Sequence, residues 1–123
     1  MNTLKQSRGF LLIEVLIALV ILSISLLAFA ALMAKTTRNN SSGNHLTEAA
    51  TLAQDMLEQL RAMQYGMITS GTDTKVGKYT GISYTRSWVP VPNPSDTLKV
   101  ITITITWADR TPHSISMVSA IPQ

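Results

Sequence analysis

The sequence predicts an α+β chain: one long helix whose C-terminal half lies on a small antiparallel sheet. Three observations carry this. Residues 10–34 form an apolar run with a single ionisable side chain, Glu14, and only Ser23 and Ser25 as other polar groups. Apolar residues then recur at helical spacing from Leu46 to Met63. Beyond residue 78 the spacing changes to alternation, in three segments parted by short polar turns.

The apolar run is long enough to cross a bilayer, which takes about 20 helical residues. In lipid a single span must satisfy its own backbone hydrogen bonds, so it is helical. Lys5 and Arg8 precede the run and favour a cytoplasmic N-terminus. Ala28-Phe29-Ala30 also fits an A-x-A cleavage site, as in a secretory signal peptide. Against that stand the length of the run, beyond the usual core of about 7–15 residues, and its carboxylate. A charge within a span costs about 2.5–3.5 kcal/mol on insertion scales, which makes Glu14 a candidate functional residue.

Residues 35–45, KTTRNNSSGNH, are polar and poor in helix formers, so they read as a linker. In the linker reading Asn44 caps a new helix. From 46 to 64 the stripe is Leu46, Ala49, Ala50, Ala53, Met56, Leu57, Leu60 and Met63, with Glu48, Asp55, Glu58 and Arg61 off it. Glu58 and Arg61 are spaced to pair on the exposed side. Met56 and Met63 read as core filling rather than metal ligation. Tyr65-Gly66 ends the helix.

Residues 66–78 read as a loop with three glycines and no phosphate-binding pattern. Tyr79 to Val89 alternates, with Ile82, Tyr84, Arg86 and Trp88 on one face. Pro90, Pro92 and Pro94 are expected to stop that strand, and Asn93–Asp96 to turn the chain. Leu98 to Trp107 is the clearest strand, with Ile101, Ile103, Ile105 and Trp107 facing the core. His113 to Ile121 follows, with Ile115, Met117 and Ile121 inward. Three consecutive strands across 79–121 predict a meander, and the stripe at 46–63 is the apolar surface available to cover it.

Composition narrows the function. The chain has 123 residues and a formal charge of +3. Lys5 and Arg8 supply two of its ten basic side chains, and the remainder nearly balance seven acidic ones. No basic cluster is left for nucleic acid, and Lys75, Lys78 and Arg86 read as solvated. With no cysteine, disulfides, thiolate metal sites and thiol catalysis are excluded. His45, His113, Asp55, Asp73, Asp96 and Asp109 form no recognisable catalytic or metal pattern. Little volume is expected for a pocket of about 300 Å³ or more. No enzyme activity, cofactor or metal is expected.

Arg8-Gly9-Phe10-Leu11-Leu12-Ile13-Glu14 resembles the class III signal of type IV prepilins and pseudopilins. In that family a basic leader ends in glycine, phenylalanine follows, and glutamate is the fifth residue after the cut. Gly9, Phe10 and Glu14 match. The nearest subgroups by resemblance are the minor pilins of the PilV type and the minor pseudopilin subunit I of type II secretion. They share a LIEVLIALVIL-like core, a segment like Ala49–Arg61, and a late strand ending in tryptophan like Ile101–Trp107. The resemblance covers most of the chain and is sharp over residues 8–27.

It implies three regions: a cleaved leader at 1–9, a transmembrane and assembly helix at 10–34, and a periplasmic pilin-like domain at 35–123, with the helix running on through a locally weak 35–45 rather than breaking at a linker. A prepilin peptidase would cut between Gly9 and Phe10 and methylate the Phe10 amine. The subunit would wait in the bacterial inner membrane as a single-pass protein. It would then join other major and minor pilins in the fibre, through the inner-membrane assembly platform. Glu14 would pair with the terminal amine of a neighbour. Many pilins carry a C-terminal disulfide, and this chain departs from that pattern. A signal-anchored binding module with no polymer role is the reading from a different class.

Overall fold

The computed structural model describes the backbone of residues 3–123 and the side chains from residue 9 onward. Met1 and Asn2, and the side chains of Lys5 and Arg8 in the expected leader, lie outside the described residues. Helix α1 spans Thr3–Ala62, and a 3-10 turn follows at Tyr65–Met67. Four strands complete the chain: β1 (Gly71–Val76), β2 (Ser83–Pro92), β3 (Leu98–Ala108) and β4 (Pro112–Pro122). They form one antiparallel sheet in the order β1-β2-β3-β4. The α+β arrangement is therefore as expected, with one strand more than the sequence reading predicted.

The chain divides into two compact units, Met1–Asn40 and Ser41–Gln123. The first is the apolar part of α1. It contains a window of mean hydropathy 3.0, none of it buried. Ser23 and Ser25 donate to the carbonyls of Leu19 and Ile21 at 2.7 and 2.8 Å, so neither hydroxyl needs a partner outside the helix. The polar stretch 35–45 is helical, which removes the linker reading and the Asn44 cap. Thr37 and Thr47 bond back to Met33 and Gly43. Opening the helix there would leave two new ends with unpaired groups, which outweighs weak local propensity.

In the second unit Ala49, Ala53, Met56, Leu57 and Leu60 pack with Tyr84, Ile101, Ile103, Ile105, Trp107 and Ile121. Ile68 completes this core. Ile115 and Met117 are partly buried against it. Leu46 and Met63, expected in the stripe, are about half exposed and lie at its margins. Glu58 makes no ion pair with Arg61, which instead donates to Ser119 Oγ at 3.2 Å. The 66–78 segment is not wholly a loop, because β1 lies within it. Nor do prolines end β2, which runs to Pro92. Asn93 N–H donates to Leu98 C=O at 2.8 Å, so by alternation Pro90 and Pro92 turn their nitrogens away from β3. β1 reaches only to Trp88, so β2 is an edge beyond that point and tolerates residues without N–H.

Candidate functional site

The N-terminal segment sets its side chains out along one apolar helix. Gly9 has open space where a Cβ would stand, with nothing within 4 Å. Phe10 is 72 % exposed, and the aliphatic residues after it are exposed on every side of the helix. A helix apolar all round is built for lipid or for a bundle of like helices. Glu14 lies one helical turn beyond Phe10 and is itself exposed, as the only carboxylate between residues 10 and 34. The expected processing and assembly residues thus stand together at the start of the apolar run.

A second polar cluster lies within the globular unit. An open groove of about 700 Å³ separates the 41–55 face of α1 from the β1–β2 hairpin. That is more room than the sequence reading allowed. At its floor Glu48, expected off the stripe, is only 8 % exposed. Its carboxylate accepts the Tyr79 and Thr80 amides at 2.9 and 3.1 Å and the Thr80 hydroxyl as well. Burial pushes the Glu48 carboxyl up, but these donors together outweigh it and hold the group below its ordinary value. Gly77 makes the approach possible, since a Cβ there would run into the Glu48 carboxylate.

Tyr84 closes the cluster. Its hydroxyl lies 3.1 Å from Thr80 Oγ1, 3.4 Å from the Glu48 carboxylate and 3.4 Å from His45 Nδ1. Burial first, then the Glu48 charge, raises its phenol. Among the described residues no buried side-chain polar atom lacks a partner. The carboxylate of Glu48 is committed to its donors, so the cluster works as a tie between helix and hairpin. The sequence carried a signal for it: His45 and Glu48 precede Ala49 and Leu52 by helical intervals on the buried face.

At the far end of the sheet Asp109 accepts the Arg110 and Thr111 amides. These bonds bring its pKa down to about 2. His113 lies 3.1 Å from the same carboxylate and stacks on Trp107, so it is a turn-stabilising residue. No group of three or more metal-ligating side chains occurs among the described residues.

No curated protein and no solved structure matches the chain. Residues 4–30 match the family model described as the prokaryotic N-terminal methylation motif. The match takes in Gly9, Phe10 and Glu14 together with most of the apolar run, and the motif supports a type IV pilin-like protein that a prepilin peptidase processes.

Proposed function

We propose that the chain is a minor pilin, a structural subunit of a type IV pilus, and acts by assembly rather than catalysis. The observation that carries this is a methylation motif laid on a helix exposed and apolar on every side, with one carboxylate near its start. Cleavage follows Gly9, and the new Phe10 amine is methylated. The subunit is held in the inner membrane by residues 10–34, with residues 35–123 on the periplasmic side. It then enters a fibre with other pilins through the assembly platform. Glu14 has no partner within its own apolar run, and a carboxylate surrounded by packed apolar helices needs one. The positive N-terminus of a neighbouring subunit supplies the opposite charge. A minor pseudopilin of a type II secretion system uses the same features, and gene neighbours separate the two.

Mass spectrometry of the mature N-terminus tests the reading. The expected product begins at N-methylated Phe10. A chain beginning at Ala31 would make the segment an ordinary signal peptide. An uncut chain would leave a signal-anchored binding module.

A further inference from the structure

The two outer strands of the sheet are protected unequally: β1 is short and carries Asp73 and Lys75, whereas β4 is long and uncharged. β4 runs for 11 residues without Lys, Arg, Asp or Glu and is not covered along its even-numbered positions, all of which are exposed. Such an edge invites a further strand unless charge, proline or a bulge blocks it. Gln123 N–H donates to Thr97 C=O at 2.9 Å, which fixes the alternation. Odd-numbered residues of β4 bond to β3, and even-numbered ones turn their backbone groups outward. Pro112 and Pro122 stand at outward positions and offer no donor. Between them the N–H and C=O groups of Ser114, Ser116, Val118 and Ala120 form an open row.

β1 is the complementary edge. Gly77 N–H donates to Ile82 C=O at 2.8 Å, so by the same alternation Thr72, Thr74 and Val76 turn their backbone groups away from β2. All three are exposed. The 6 residues of β1 fit within the window that the prolines of β4 leave open. In the four-stranded order β1 and β4 run in opposite directions. A copy displaced sideways therefore presents β1 antiparallel to β4 of the first. Asp73 and Lys75 on the incoming strand meet no like charge, because β4 has none.

We infer that β4 docks the β1 edge of a second copy of this chain, head to tail, so that the sheet continues from one subunit into the next. The alternative, β4 against β4 about a two-fold axis normal to the sheet, reverses α1 between copies. Chains inserted with their basic ends on one side of a membrane keep their helices parallel. The head-to-tail choice thus rests on the membrane-anchored, pilin-type reading above. Such a contact is heterologous, pairing two different edges, and it stays open wherever the rotation between copies does not close a ring.

The absence of native cysteine makes the test clean. Full-length Thr74→Cys is produced in the same cells as Ser114→Cys, Ser116→Cys or Val118→Cys, and the membranes are oxidised. A disulfide-linked dimer should appear in at least one mixture and in none of the single variants. Adding Val118→Pro to the Ser116→Cys chain, or to Ser114→Cys if that pair links, removes an outward donor at a parity that Pro112 and Pro122 already occupy. The chain should keep its thermal midpoint and lose at least tenfold of the dimer. Dimer from Ser116→Cys with Val118→Cys, but none with Thr74→Cys, would establish the two-fold pairing and overturn the inference. So would the absence of any dimer, or a dimer indifferent to the proline. The N-terminus is read in the same samples. Cut chains that fail to link overturn the docking alone, and linked chains left uncut overturn the pilin-type reading.

Discussion

Asp73 and Arg86 face each other across β1 and β2, and the carboxylate takes both Nε and Nη2 of the guanidinium, the first at 2.7 Å. Arg86 is 2 % exposed while Asp73 keeps about a third of its surface, 34 %. The sequence pattern puts Arg86 on one face with Tyr84 and Trp88 but reads it as solvated, and the structure instead buries it. A guanidinium so placed must be paired, and the pair fixes the register of the outer strand.

Removing the carboxylate by Asp73→Ala should destabilise the globular unit by about 3 kcal/mol. That is the low end for breaking a buried pair, because Asp73 is partly solvated. Urea unfolding gives the number. The Arg86 hydrogen bond holds the Asp73 carboxyl below its ordinary value. Its stabilisation is thus present above the unfolded pKa and disappears as pH falls through the folded one. The variant should accordingly show a flatter loss of stability than wild type below about pH 4. An equally steep loss would mean that the pair contributes nothing.

Glu48 ties helix to hairpin by the same logic. Glu48→Gln keeps the size and loses the charge that the Tyr79 and Thr80 amides bind, so hydrogen exchange at both should quicken severalfold. Amides in the centre of β3 should be unaffected. Gly77→Ala should mimic the effect, since its Cβ displaces the carboxylate. Unchanged exchange at Tyr79 and Thr80 in both variants would show that the hairpin is held by something else.

The central strand offers a direct test of facing. A fragment starting at Lys35 should be soluble and folded. In it Ile103→Ala should cost about 2–5 kcal/mol, the range for truncating a buried aliphatic side chain. Ile103 is fully buried. Thr104→Ala should cost far less, because it loses only a contact with Ser116 Oγ at 3.1 Å. Equal losses in urea would put the strand the other way round.

Hydrophobic spacing revealed the parts of this fold that bury apolar residues at regular intervals: the 49–60 stripe, β3 and β4. β1 escaped because its inward positions are Gly71, Asp73 and Lys75, none apolar. Its fit lies in its partners: Trp88 fills the space a Cβ of Gly71 would need, and Arg86 takes Asp73. Pro90 and Pro92 read as breakers because sequence alone does not show that β2 is an edge there. Helical spacing places Glu48 one turn before Leu52, but its partners are backbone amides some thirty residues away, which carry no residue-type signal, so its burial was not legible. Gly9, Phe10 and Glu14 stand out in the sequence because their signal is local spacing before an apolar run, and they lie within the match to the methylation motif.

If the proposed function holds, Glu14 should bear on assembly and not on folding. It stands four residues from Phe10, about 6 Å along the helix axis. That separation places it within reach of a neighbour's terminal ammonium when two helices pack with an axial offset. Glu14→Gln retains the shape and most hydrogen bonding but removes the charge. It lowers the cost of residing in lipid, so membrane retention should be unchanged or improved. The variant should be cut after Gly9 as usual, which separates processing from docking. What should fall is its content in sheared filaments, at least tenfold, while the membrane fraction accumulates it. Normal cleavage with normal incorporation would remove the charge-pairing account. The carboxylate would then owe its place to an inner-membrane assembly component, and a filament-free binding measurement on that component would be the next discriminating step.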